Sequence, residues 1–68
     1  MYLVIEIQQS KEGAVSHLVT QHETQEAAEQ KFHQVLAYAA VSNVAYHSAV
    51  ILNGKGEWIK GETYRHAE

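Results

Sequence analysis

Five histidines in 68 residues, His17, His22, His33, His47 and His66, are the groups of this chain with the widest chemical range. Imidazole can ligate a metal, carry a proton or titrate near neutral pH. A zinc site needs ligands at converging spacings, such as two histidines one helical turn apart. No pair here has that spacing, so a metal site would require strands and helix to bring three of them together. Ordinary surface or half-buried polar groups are the simpler reading, and no metal or cofactor is expected.

Nucleophilic chemistry finds less to work with. There is no cysteine and no aspartate, and Ser10, Ser16, Ser42 and Ser48 lack a G-x-S-x-G elbow. A Ser–His–Glu triad is open to geometry alone, yet no residue pattern nominates one. Asn53-Gly54-Lys55-Gly56 imitates a phosphate loop, but such a loop is longer and opens a helix, whereas this one leads into a strand. Binding is better served than turnover. Tyr46, His47, Trp58, Lys60, Tyr64, Arg65 and His66 are suited to a small polar aromatic ligand. Rings stack on a base while Lys, Arg and His hold phosphates. The competing structural reading makes Trp58 and Tyr64 core or interface groups with solvated Lys60 and Arg65 around them.

Composition narrows the class. The chain is 46% apolar and 19% charged, too apolar for disorder, and it has no proline to interrupt regular segments. Lacking cysteine, it can have neither disulfide staples nor cysteine-ligated zinc. Five Lys/Arg against eight Asp/Glu give a net charge of −3, which lacks the basic footprint of a duplex binder. No apolar run approaches a membrane span and no secretory leader pattern is present, so a single cytoplasmic domain over residues 1–68 is expected. Chains below about 70 residues rarely stabilise themselves by core burial alone. With disulfides excluded, self-association is the favoured supplement.

Alternation predicts a strand over Tyr2–Gln9, with Leu3, Ile5 and Ile7 on one side and Tyr2, Val4 and Glu6 on the other. Both sides begin apolar, which suits a central strand. Ser10-Lys11-Glu12-Gly13 is a turn, and Ala14–Gln21 completes a hairpin. Thr24 caps a helix beginning at Gln25, with Glu26 and Glu29 near its positive end. Ala28, Phe32, Val35, Leu36 and Ala39 form its buried stripe to about Val41, and Ser42-Asn43 ends it. Alanine is abundant beyond that stripe, as helix propensity or as a close-approach surface at Ala37 and Ala40. Val44–Leu52 and Glu57–Tyr64 are two further strands, joined by a tight Asn-Gly hairpin with positive φ angles. Gly61 inside the last strand predicts a bulge or a close approach by another backbone or a ligand, and Arg65–Glu68 is an expected frayed tail.

The expected fold class is therefore α+β: ββαββ, a four-stranded antiparallel sheet with one helix on one face, and oligomeric. One helix leaves the second sheet face uncovered, carrying some of Tyr2, Val4, Tyr46, Val50, Trp58 and Tyr64. Such a patch marks an interaction surface.

Three stretches also resemble a group of short, mostly hypothetical proteins of bacteriophages and prophages of gut bacteria. They are Ala28–Ala37 with Ala39-Ala40-Val41-Ser42, then His47-Ser48-Ala49-Val50, then Lys60-Gly61-Glu62-Thr63-Tyr64-Arg65-His66. The group's pattern runs A-E-x-K-[FY]-H-x-[VI]-L-A, A-A-V-S, H-x-A-V and K-x-E-x-Y-x-H. The match spans most of the chain from Ala28 to His66; the first hairpin fits only in length and in its opening apolar strand. The group has no settled catalytic residues. The resemblance implies a phage product acting in the cytoplasm of an infected bacterium. By analogy it points to an anti-defence sponge, an oligomer that sequesters a nucleotide signal such as a cyclic ADP-ribose of Thoeris defence between subunits. Its polar motif positions, Lys31, His33, His47, Lys60, Tyr64 and His66, are the expected ligand-binding residues. The expected partners are further copies of itself and that ligand, with no nucleic acid and no membrane. The alternatives are a structural or accessory protein of phage head or tail assembly, or an inhibitor that docks directly on a defence protein.

Overall fold

Residues 1–66 are described by the computed structural model, in which four strands and one helix follow in the order ββαββ. The strands are β1 (Tyr2–Gln9), β2 (Val15–His22), β3 (Tyr46–Asn53) and β4 (Trp58–Arg65), and the helix is α1 (Gln25–Val41). All neighbours are antiparallel in a single sheet of order β2-β1-β3-β4, so β1 is central, as its two apolar sides require.

Both hairpins close the same way. In the first, the Gly13 N–H donates to Ser10 O at 3.0 Å and Gly13 takes φ 92°. In the second, the Gly56 N–H donates to Asn53 O at 3.0 Å, and Gly56 takes φ 84°. The tight hairpin is where Asn53-Gly54-Lys55-Gly56 predicts it, but the positive φ expected of Asn-Gly is not at those two residues. The left-handed residue is Gly56, one turn position after Lys55, and this three-residue loop is the second common hairpin type. Asn53 serves through its side chain instead, its Oδ1 accepting from the Lys55 N–H at 2.9 Å and the Glu57 N–H at 3.0 Å.

The helix starts where its cap predicts. Thr24 Oγ1 accepts from the Ala27 N–H at 3.2 Å, satisfying one of the free amides of the first turn. The stripe Ala28, Phe32, Val35 and Ala39 is buried, with Leu36 half-buried beside it. It packs on Val4, Ala49 and Ile51, chiefly over β3 and β1. Alanines at the contact positions let the helix lie close to the sheet.

Register decides the faces. Val4 stands opposite Ile51 and Glu6 opposite Ala49, so Tyr2, Val4 and Glu6 share the helix-covered face with His47, Ala49 and Ile51. The uncovered face is built from the other row: Leu3, Ile5 and Ile7 of β1, Val15 and Val19 of β2, and Tyr46, Val50 and Leu52 of β3. The expectation for that face thus holds for Tyr46, Val50 and Trp58 and fails for Tyr2, Val4 and Tyr64, which lie under or beside the helix.

Trp58 changes sides through an irregularity. Ile51 pairs with Lys60 while Leu52 pairs with Trp58, leaving Ile59 as an extra residue in a β-bulge. Alternation alone groups Trp58 with Lys60, Glu62 and Tyr64. The bulge instead turns the indole to the open face beside Gly61. A Cβ at Gly61 would lie 3.2 Å from Trp58 Nε1 and 3.4 Å from Ala49 O. The approach to this glycine expected of a backbone or a ligand is made by the Ala49 carbonyl, and more closely by the chain's own tryptophan side chain. The end of β4 is anchored too: the His66 N–H donates to Ala45 O at 2.7 Å. Ala67 and Glu68 of the expected frayed tail lie outside the described residues.

Candidate functional site

The six sequence-predicted residues all lie on the helix side of the sheet or on the helix, in three places. His33 and Lys60 meet in a groove between α1 and the edge strand β4. Its lining is Phe32, His33, Leu36, Lys60, Gly61 and Glu62, with a volume of about 380 Å³. Phe32 and Leu36 make an apolar wall with a polar rim. Lys60 Nζ lies 5.6 Å from the Phe32 ring centroid and donates to Glu29 Oε1 at 2.9 Å. His33 Nε2 approaches the same oxygen at 3.5 Å. The hydrogen bond from Lys60 holds the Glu29 carboxyl below its ordinary pKa, with the charges of Lys60 and His33 adding in the same direction. Glu62 brings a further carboxylate to the rim, so this groove is mixed in charge.

His47, Tyr64 and His66 gather at the C-terminal end of the helix. His47, 3% exposed, donates from Nε2 to Glu6 Oε2 at 2.6 Å and meets Ser42 Oγ through Nδ1 at 3.2 Å. Tyr64 stands opposite His47 in the β3–β4 ladder and stacks on His66 with ring centroids 6.4 Å apart. The His66 ring contacts Ala39 O through Nε2 at 2.8 Å. The last helical turn contains no Lys, Arg or His, and of these two histidines only His66 brings its ring to a helix carbonyl, that of Ala39. Lys31, half-buried on the helix flank away from His33, joins neither group.

Glu6, Ser42 and Glu29 were not among the predicted site residues. The available signal was Glu6, the single charge in the apolar run Tyr2–Ile7. Ser42–His47–Glu6 has the order of a nucleophile, a base and an orienting acid, but its setting opposes that chemistry. Ser42 ends the helix, and both its N–H (3.3 Å) and its hydroxyl (3.2 Å) donate to Ala39 O. The C-terminal end of a helix carries partial negative charge. An oxyanion needs converging donors, and here it would face carbonyls. The arrangement fastens helix to sheet.

Among the described residues, no three His, Asp or Glu side chains come together as a metal site would need. No helix among them is long and apolar enough to cross a membrane. The sheet face away from the helix has no element of the described residues packed on it. Trp58 is 66% exposed at one end of it, and at the other Arg65 lies 6.0 Å from the ring centroid of Tyr46. No protein-family model, curated protein or solved structure matches the chain.

Proposed function

We propose that this protein works by binding rather than turnover, as an assembly of copies stacked through the open sheet face. We further propose that it sequesters a nucleotide-type signal of the cyclic ADP-ribose kind at the rim of that stack. The observation that carries the reading is the face itself. Leu3, Ile5, Ile7, Val19, Val50, Leu52 and Trp58 form a continuous apolar patch, with Val15 beyond it and His17, Gln21, Ser48 and Thr63 around it, on a molecule of 35 × 19 × 15 Å. A four-stranded face of eight-residue strands offers a footprint of ~500 Å² per copy. With its side chains this approaches the ~800 Å² per partner of a stable interface. Burying it against a second copy supplies the second core layer that one helix does not.

Chemistry at the rim supports the ligand class. Trp58 and Tyr46 offer aromatic planes beside the seam, and Arg65 a planar cation suited to phosphate. The groove of His33 and Lys60 is a poorer phosphate site, because Lys60 already serves Glu29 and Glu62 stands beside it. The phage setting rests on the motif resemblance. The exposed Trp58 on the open face favours a second reading, in which that face docks on another protein, as an accessory phage component or a direct inhibitor would.

The test pairs sedimentation velocity with thermal melting in the presence of cyclic ADP-ribose isomers and linear nucleotides. The proposal expects an assembled protein, a rise in Tm with one ligand class, and recovery of that ligand unaltered after heating. A Tm unmoved by every nucleotide, with the protein co-purifying on virions, overturns sequestration in favour of the accessory role.

A further inference from the structure

We infer that β2 is a second self-association site, at which the strand pairs antiparallel with β2 of another copy across a two-fold axis at Leu18. The inference rests on the reading that copies assemble, but it uses the edge of the sheet, not its open face.

The two edges of the sheet are built differently. β4 is blunted by the Ile59 bulge and by Lys60, Glu62 and Arg65. Bulges and charges are the usual protections of an edge against pairing. β2 has neither. Val15–His22 reads Val-Ser-His-Leu-Val-Thr-Gln-His, with no Lys, Arg, Asp, Glu or Pro, and it runs against β1 over all eight residues without a register shift. Five of the eight, Val15 to Val19, are exposed in succession.

The ladder phase states which backbone groups are free. The Ser10 N–H donates to Ala14 O at 2.9 Å, so Ser16, Leu18, Thr20 and His22 turn their N–H and C=O groups toward β1. Val15, His17, Val19 and Gln21 turn theirs outward. Antiparallel pairing of this edge with itself must match outward groups with outward groups. Centring on Leu18 does so over seven residues, placing Val15 opposite Gln21 and His17 opposite Val19 of the other copy. Leu18, 55% exposed, then meets its own counterpart on the helix side, in a non-hydrogen-bonded pair where side chains approach closely.

A second copy is the partner this edge fits. Self-pairing sets no like charges opposite one another and covers three exposed apolar side chains, Val15, Leu18 and Val19. A two-fold contact also closes. It leaves β4 at both ends of an eight-stranded sheet, so growth stops there instead of continuing into a fibre.

Because the chain lacks cysteine, a single introduced thiol reports one contact. In a non-hydrogen-bonded pair Cα atoms lie about 4.5 Å apart, inside the range a disulfide spans. Leu18→Cys should therefore cross-link rapidly under mild oxidant. Ser16→Cys, four positions from its own counterpart and so about 13 Å away, should not. Cross-linking of Leu18→Cys at least tenfold faster than Ser16→Cys supports the edge. Equal or slower cross-linking overturns it. Ile5→Glu in the Leu18→Cys background separates the two readings. If the cross-link persists while the stacked mass is lost, both stand. If mass is lost and Leu18→Cys never links, only the open face assembles. If the cross-link forms and Ile5→Glu leaves the mass unchanged, only the edge does.

Discussion

Glu6 and His47, 41 residues apart in sequence, meet at 2.6 Å under the C-terminal end of the helix. Gln8 Nε2 donates to the same carboxylate oxygen at 3.3 Å, and Ser42 takes the other side of the imidazole. No buried side-chain polar atom among the described residues is left unpartnered. The cluster ties β1, β3 and the helix end together.

Removing one member should therefore cost more than an exposed hydrogen bond does. Glu6→Ala leaves the buried His47 Nε2 without its acceptor, a loss of about 2 kcal/mol in urea unfolding. His47→Ala should cost a similar amount, and the double variant much less than the sum, because both changes remove the same contact. Additive losses would show that the pair contributes no coupling.

The open face predicts a change of mass. Ile5→Glu sets a carboxylate in the middle of the apolar row and should convert the stacked species to a smaller one in sedimentation velocity. Trp58 emission should shift to longer wavelength as its rim becomes wet. An unchanged sedimentation coefficient at micromolar concentration would contradict stacking.

Lys60 and Glu29 give a pH signature with a definite sign. The carboxyl of Glu29 is held below its ordinary value of 4.5, so its folded pKa lies under its unfolded one. A group shifted in that direction stabilises the fold above the unfolded pKa, and the contribution disappears as pH falls through the folded pKa. Lys60→Met should thus be slightly less stable than the parent at pH 7, with the two unfolding curves converging as acid protonates Glu29 in the folded protein as well. A difference that persists undiminished in acid would assign the effect of Lys60 to its packing on Phe32.

Two local positions test the chain's punctuation. Thr24→Ala removes the helix cap and should cost about 1 kcal/mol. Gly56→Ala meets open space but must adopt φ 84°, so it too should cost about 1 kcal/mol, through backbone strain alone. Thermal unfolding of each single variant gives both values. A neutral Gly56→Ala would mean that the loop relaxes out of its left-handed geometry.

Much of the fold can be read from residue order because period and punctuation agree. The Ala28-to-Ala39 stripe and Thr24 specify the helix, and Gly13 and the Asn53–Gly56 segment specify two hairpins. What alternation does not contain is which of two apolar rows the helix will cover. Val4 and Ile5 are equally apolar, and only the pairing of β1 with β3 sends Val4 inward. The bulge is hidden for a related reason: Ile59 is an ordinary strand residue, and its extra count appears only against Leu52 and Ile51. That one shift carries Trp58 to the open face. The candidate site was legible as a set of residue types and illegible as an arrangement. His47 is held at the helix end by Glu6 and Ser42, and His66 by the carbonyl of Ala39, none of which their spacing reveals.

The central ladder joins residues 37 to 51 positions apart, from Gln9 with Tyr46 to Tyr2 with Asn53. During synthesis the first hairpin must therefore leave the ribosome with one flank of β1 bare, and it stays so until the helix and β3 have also emerged. Translation speed through residues 10–53 sets how long that unfinished flank is open to a chaperone, a protease or a neighbouring nascent chain.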